Sequence, residues 1–519
     1  MQSDLDLIIQ GNILTLSDAC PRVEAVGIKD GRIAVLGAAS QVVKGKSRRT
    51  QYLDLKNKTI IPGFIDTHVH PCQVGAVKIN IDLTSVTSVK EILEKIRKRV
   101  SITPLGELVL ALNFNYDIVQ EHRLPTKKEL DDISREHPII ILVYDVHSAM
   151  LNTRALEMVN APRGVEGYVF GSDGNPTGLM EDPAIELVTR SIQPRKAPDV
   201  MAAVAAAARE ALSKGITSLH MKEIHTNMEF ILHNEDSIPI RIKPMVVFKP
   251  QDGDALSKIL RSQTDPKRAT IALFADGAPD SKTAAFFEPY CGDSNNYGML
   301  YYQDDELEDI VAQIHKTGFQ VSIHACGTRA AEQVLKIYAK VLAQYPRKDH
   351  RHRIEHFEMP LGNQIKRAVD LGVALAMQPM FLFLSGDNTI ANIRAILGAE
   401  RTRRWKPFRS ILDAGALVAG GSDAPVTPMS PLKGIWAAVN HPNQKERITL
   451  YEALQLFTVK AARIGFEEDV KGSIEVGKLA DFAVLAEDPY SIGRNEIGDV
   501  SVEMTLVGGK IVYSAPKAV

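Results

Sequence analysis

Short apolar runs alternate with amphipathic stretches through the middle of the chain. Eight of the runs read as buried strands, at 59–65, 215–219, 238–247, 270–275, 319–323, 353–355, 373–377 and 417–419. A strand covered on both faces is apolar almost throughout, as most of these are, though 353–355 carries Arg353 and Glu355. The segments between them carry apolar residues at helical spacing; the clearest is 304–316, with Leu307, Ile310, Val311 and Ile314 on one face. Strand–helix alternation implies a parallel α/β architecture. Eight such units predict a (β/α)8 TIM-like barrel, whose chemistry gathers at the C-terminal ends of its strands.

The two ends of the chain follow a different pattern. Residues 7–9, 12–16, 25–29 and 32–36 alternate as short strands, with Asp30-Gly31 as a hairpin turn. Near the other terminus, 479–485 and 504–507 are strand-like, and Gly508-Gly509 turns the chain into 510–513. Neither end holds enough apolar residues for its own core, which predicts one small β-sandwich domain built from 1–58 and 470–519. The barrel then occupies 59–469. Between Cys72 and Asp199 lies far more chain than a strand-to-helix connection needs. With its own apolar runs at 108–112 and 139–143, it predicts an inserted subdomain, 75–200, after the first barrel strand and on the active-site side.

The composition is that of an ordinary globular protein, 45% apolar and 24% charged over 519 residues. A formal net charge of −2 argues against nucleic acid or an anionic membrane as a partner. The four cysteines form no CxxC pair and no disulfide framework, which fits a reducing, cytoplasmic setting. No signal-peptide pattern and no run of transmembrane length is evident.

The chemistry lies at the strand ends. His68 and His70 follow the first run, and side chains two apart on a strand share a face and can converge on one metal ion. The motif alone is unspecific: His350-Arg351-His352 repeats it inside a charged stretch, where a solvated loop is the expectation. Three further strands, however, end in His324, His356 and Asp423. Four imidazoles and a carboxylate on one rim suit Zn²⁺ or another divalent ion with a position left for water.

The pattern resembles the amidohydrolase superfamily. The segments 145–156, 174–178, 274–277, 322–327, 353–356 and 421–426 resemble its family 3 branch, which includes N-substituted formamide deformylase-like enzymes. The resemblance spans nearly the whole chain. It implies one or two metal ions held by His68, His70, His324, His356 and Asp423, with Asp423 as the proton acceptor and donor. His324 and His356 either complete a second metal position or contact the oxyanion. It also implies a hydrolase of C–N bonds and, as in many relatives, a homodimer. His147, His220, Asp276 and the apolar rim segment around Phe381 are candidate substrate contacts. Phe381, with Trp405 and Phe286-Phe287, would line a pocket for an apolar N-acyl or N-substituted amide.

The chain departs from the family's pattern at one place. Related sequences carry a metal-bridging lysine four residues before the Asp of the Asp-Gly pair, and here that position is Ala272. Three readings follow: a single metal, a substitute in Lys222 from the neighbouring strand, or altered activity. Cys72 and Cys326, each two residues beyond a proposed ligand, are either further ligands or small apolar fillers. Hydrolysis of an ester, carbamate or cyclic amide, deamination, and a non-catalytic barrel are the alternative functions.

Overall fold

The computed structural model describes residues 4–115, 118–143, 148–181, 184–192, 197–248, 255–262 and 265–516. The chain divides into two compact units, Met1–Pro71 with Ala208–Val519, and Cys72–Ala207.

The first unit holds the barrel. Its strands are Phe64–Val69, Ile216–Ile224, Arg241–Val247, Thr270–Phe274, Gln320–Ala325, Arg353–His356, Ala374–Met377 and Val418–Gly420. They pair in that order, every pair parallel. The last strand returns to the first through a parallel bridge between Val69 and Ala424 and the bonds Asp423 N–H to His68 O (2.8 Å) and His70 N–H to Ala424 O (3.0 Å). These closing bonds place Asp423 beside both histidines. The helix expected at 304–316 runs from Asp304 to Lys316 and buries Leu307, Val311 and Ile314.

The first barrel strand differs from the expectation of 59–65. Ile60 and Ile61 belong to the strand Gln51–Pro62 of the other sheet, and the barrel strand begins at Phe64. Both sheets demand apolar residues, so a continuous apolar run hides the boundary. Gly63 marks it. A Cβ there would lie 2.3 Å from Thr217 Cγ2, and its N–H bonds Asp481 while that of Phe64 already bonds Gly215.

Both termini feed one mixed sheet of seven strands. In spatial order these are Lys510–Ser514, Val502–Val507, Phe482–Leu485, Gln51–Pro62, Leu7–Leu14, Arg22–Lys29 and Arg32–Gly37. Its hairpins turn at Asp30-Gly31 and Gly508-Gly509, all four residues at positive φ as a tight two-residue turn requires. Ile9, Ile13, Val26, Ile28, Ile60, Phe482, Val484 and Leu506 form its core.

The second unit is built on a six-stranded sheet that includes Val109–Phe114 and Ile139–Val143. It has an apolar cluster on each face, one around Ile92, Ile96 and Ile141 and the other around Ile140, Leu142 and Val188. No helix among the described residues is long and apolar enough to cross a membrane.

The second histidine pair corrects the expectation of a solvated loop. His350 and His352 are buried, and Arg353 beside them is fully enclosed. Val321 N–H donates to His352 Nδ1 (3.0 Å), so His352 carries its proton on Nε2, 2.8 Å from His315 Nδ1. His315 Nε2 in turn meets Tyr345 O at 2.8 Å, and His350 Nε2 meets Leu371 O at 2.8 Å. Each ring works as a neutral hydrogen-bonding group, with no nitrogen left for a metal.

Candidate metal centre and active site

Five side chains meet at the C-terminal rim of the barrel. His68 Nε2 and His70 Nε2 both lie 3.2 Å from Asp423 Oδ1. The His68, His356 and His324 rings form a row with centroids 5.1 Å and 4.3 Å apart. Two donor groups result, His68–His70–Asp423 and His324–Cys326–His356, each with its ligand atoms within 4.8 Å of one another. Backbone geometry aims them: Asp423 and His356 both sit at positive φ, 57° and 73°, an uncommon conformation for residues with a side chain.

Hydrogen bonds fix which nitrogen of three of these histidines is free. His68 Nδ1 is 2.6 Å from Glu355 Oε2, a pure acceptor, so Nδ1 holds the proton and Nε2 presents a lone pair. His68 Nε2 is fully buried and makes no hydrogen bond. His324 Nε2 faces Gly277 O at 3.0 Å, which leaves Nδ1 as its lone-pair nitrogen. His356 Nδ1 faces Gln378 Oε1 at 2.9 Å, leaving Nε2. Imidazoles held in this way by outer partners are the usual arrangement around a metal. The donor set fits a divalent cation.

The charges agree with that fit at Asp423, His324 and His356. Burial alone would depress His68, yet the carboxylates of Asp423 and Glu355 raise it above its ordinary value despite Lys222. Burial would raise Asp423, but His68 and His70 hold it well below the usual carboxylate range. Glu355 is kept at about 2, against its burial, by Arg353 and His68. It also accepts from Ser322 Oγ (2.6 Å) and pairs with Arg353 (2.8 Å). Burial lowers His324 to about 3 and holds His356 well below its ordinary value. Both are therefore neutral at pH 7, as a ligand must be.

The remaining candidates fall in several places. Phe381 stacks on His356, with centroids 6.1 Å apart and planes at 21°, and so lies against the site. Phe286 and Trp405 are buried and Phe287 is exposed. His220 was expected at a strand end, but its strand continues to Ile224. It lies fully buried in mid-strand with Nδ1 3.1 Å from Arg353. Asp276 is also fully buried, and its carboxylate is committed to the N–H groups of Ala285, Cys326 and Gly327 at 2.8–3.0 Å. Burial pushes it up to about 7 against those amides. It ties together the loops behind His324. His147 lies outside the described residues.

Lys222 is a buried strand residue, not a loop lysine. Its Nζ sits 4.0 Å from the Phe274 ring centroid, over the strand that carries Ala272, and burial lowers its pKa. Cys326 Sγ lies 3.4 Å from His324 Nε2 and is buried, as is Cys72. The sequence reading assigned no role to Glu355, Gln378, Lys406 or Glu358. A carboxylate inside a strand expected to be covered on both faces was the available signal for Glu355, since buried charge needs a partner.

The chain belongs to the amidohydrolase family, whose pattern it matches over residues 51–513. It is thereby a metal-dependent hydrolase by class, with a barrel and a His/Asp centre to suit. Among its relatives, it is 29% identical to the putative amidohydrolase YtcJ of Bacillus subtilis, covering 97% of this chain and 98% of that one. It is 26% identical to N-substituted formamide deformylase of Arthrobacter pascens, covering 98% of each. In fold it is similar to an uncharacterized metal-dependent hydrolase from Pyrococcus horikoshii, with a TM-score of 0.80 at 24% identity, over 94% of this chain and 99% of that one.

Proposed function

We propose that this protein hydrolyses a C–N bond of amide type in a small N-acyl or N-substituted amide, using divalent metal, with zinc the best match to the donors. The observation that carries the reading is the convergence of His68, His70 and Asp423, where the buried His68 Nε2 faces a carboxylate oxygen at 3.2 Å and no donor. Such an ion would lower the pKa of water and polarise a carbonyl. The chain's own groups supply the rest. Asp423, kept ionised by its two histidines, accepts the proton of the attacking water and returns it to the departing nitrogen. His324 and His356, neutral and with their protons on the outer nitrogens, offer a second seat for an ion. Phe381, stacked against His356, favours an apolar group beside the reacting carbon. The likeness to a formamide deformylase supports an amide over other bonds, although fold and ligands alone do not fix the leaving group.

The test is turnover of a panel of N-formyl and N-acyl amines, beside esters, carbamates and cyclic amides, with and without chelation. Amide hydrolysis is expected, lost on chelation and restored by zinc. Asp423→Asn should abolish it while leaving the circular dichroism unchanged. Turnover by D423N near the native rate would remove the proposed role of Asp423, and activity confined to another bond would overturn the amide assignment.

A further inference from the structure

Behind His356 lies a buried polar group that the reaction as described does not use. Gln378, Lys406 and Glu358 are each enclosed almost completely. Lys406 Nζ is 3.2 Å from Glu358 Oε1 and 3.4 Å from Gln378 Oε1, the same oxygen that receives His356 Nδ1 at 2.9 Å. Lys406 Nζ also sits 4.7 Å from the centroid of Phe381, the ring stacked on His356. The backbone is drawn in to make this contact, since Lys406 stands at φ 51° and its N–H bonds Glu358 O at 2.7 Å.

The consequence concerns the orientation of an amide. A glutamine can present either an oxygen, which accepts, or an NH2, which donates. Lys406 only donates, so it requires the oxygen on its side. Oε1 then has one lone pair facing Lys406 and the other facing His356. An acceptor opposite His356 Nδ1 keeps the proton on Nδ1 and the lone pair on Nε2, toward the centre. Were the amide to turn over, its NH2 would demand a lone pair at Nδ1. The proton would move to Nε2, and His356 would present N–H where a ligand is needed. His68 and His324 need no such device, because a carboxylate and a backbone carbonyl cannot turn into donors.

We propose that Lys406 is a positioning residue that locks the Gln378 amide and thereby the tautomer of His356. Glu358 supplies the countercharge that keeps the lysine in place. The proposal rests on the reading of His356 as a metal ligand.

The experiment measures zinc affinity by competition with a chromophoric chelator, using the full chain as wild type, Lys406→Met, Gln378→Leu and the double variant. Each single change should weaken zinc binding roughly 10–100-fold at the His356 position, the usual effect of removing an outer partner of a metal ligand. The double variant should be no worse than the weaker single, since both act through one hydrogen bond. Binding by K406M within about twofold of wild type, or losses that multiply in the double variant, would overturn the proposal. A purely structural ion pair would lower the melting temperature without moving the zinc affinity. Histidine-labelled wild type, free of metal, gives the answer without substitution: nitrogen NMR should show His356 protonated on Nδ1, and an Nε2 proton would overturn the lock. A wild-type chain that binds no zinc sinks the reading of the centre itself, whereas zinc held equally by wild type and K406M sinks this proposal alone.

Discussion

At the scale of single residues, the same spacing of histidines does two opposite things in this chain. His68 has a carboxylate acceptor at its outer nitrogen and turns the other nitrogen inward, whereas His350 and His352 use their nitrogens on the backbone and on His315. The difference is made by neighbours remote in sequence, so spacing alone could not show it. Glu355→Gln tests the inward pair: losing the fixed acceptor should weaken metal binding about 10–100-fold, read by chelator competition, and an unchanged affinity would contradict the role of Glu355. His352→Gln tests the other. Burial holds folded His352 neutral well below 6.5, where an unfolded histidine takes its proton. The unfolded state then binds more protons, so the stability tied to His352 is complete above that pH and is lost as pH falls below it. In H352Q the decline of stability below pH 6.5 should be shallower by up to about 1.4 kcal/mol per pH unit. Parallel pH profiles for the two proteins would show that His352 plays no such part.

At the scale of elements, all eight barrel strands were legible from short apolar runs, and the rim ligands were legible because they follow those runs. Two boundaries were not. The run at 59–65 passes from one apolar sheet to another with only Gly63 to mark the passage. The second strand was expected to stop at 219 because His220, Lys222 and Glu223 are polar, yet it continues to Ile224 with all three buried. Polar residues inside a barrel look like loop residues in a sequence, because their partners come from other strands. Gly63→Ala should lower stability by roughly 1–3 kcal/mol, since a Cβ would meet Thr217 Cγ2 at 2.3 Å. Adding Thr217→Ala should recover part of that loss in thermal unfolding. A fully stable G63A would show that the junction can give way.

At the scale of the whole molecule, the arrangement of donor groups sets how many ions the centre can hold. The two donor groups share no residue, which allows two seats, while Ala272 offers no donor to bridge them. Lys222 is the candidate substitute, since its amine is buried over the strand that carries Ala272. Metal content of the full chain, purified without chelators and measured by mass spectrometry beside Lys222→Ala, tests the central claim most directly. About one or two transition ions per folded chain are expected. A content halved in K222A would identify Lys222 as the bridge, and one ion in both proteins would place a single ion on His68, His70 and Asp423. A well-folded wild-type chain with no metal, and none taken up when zinc is supplied, would contradict the account.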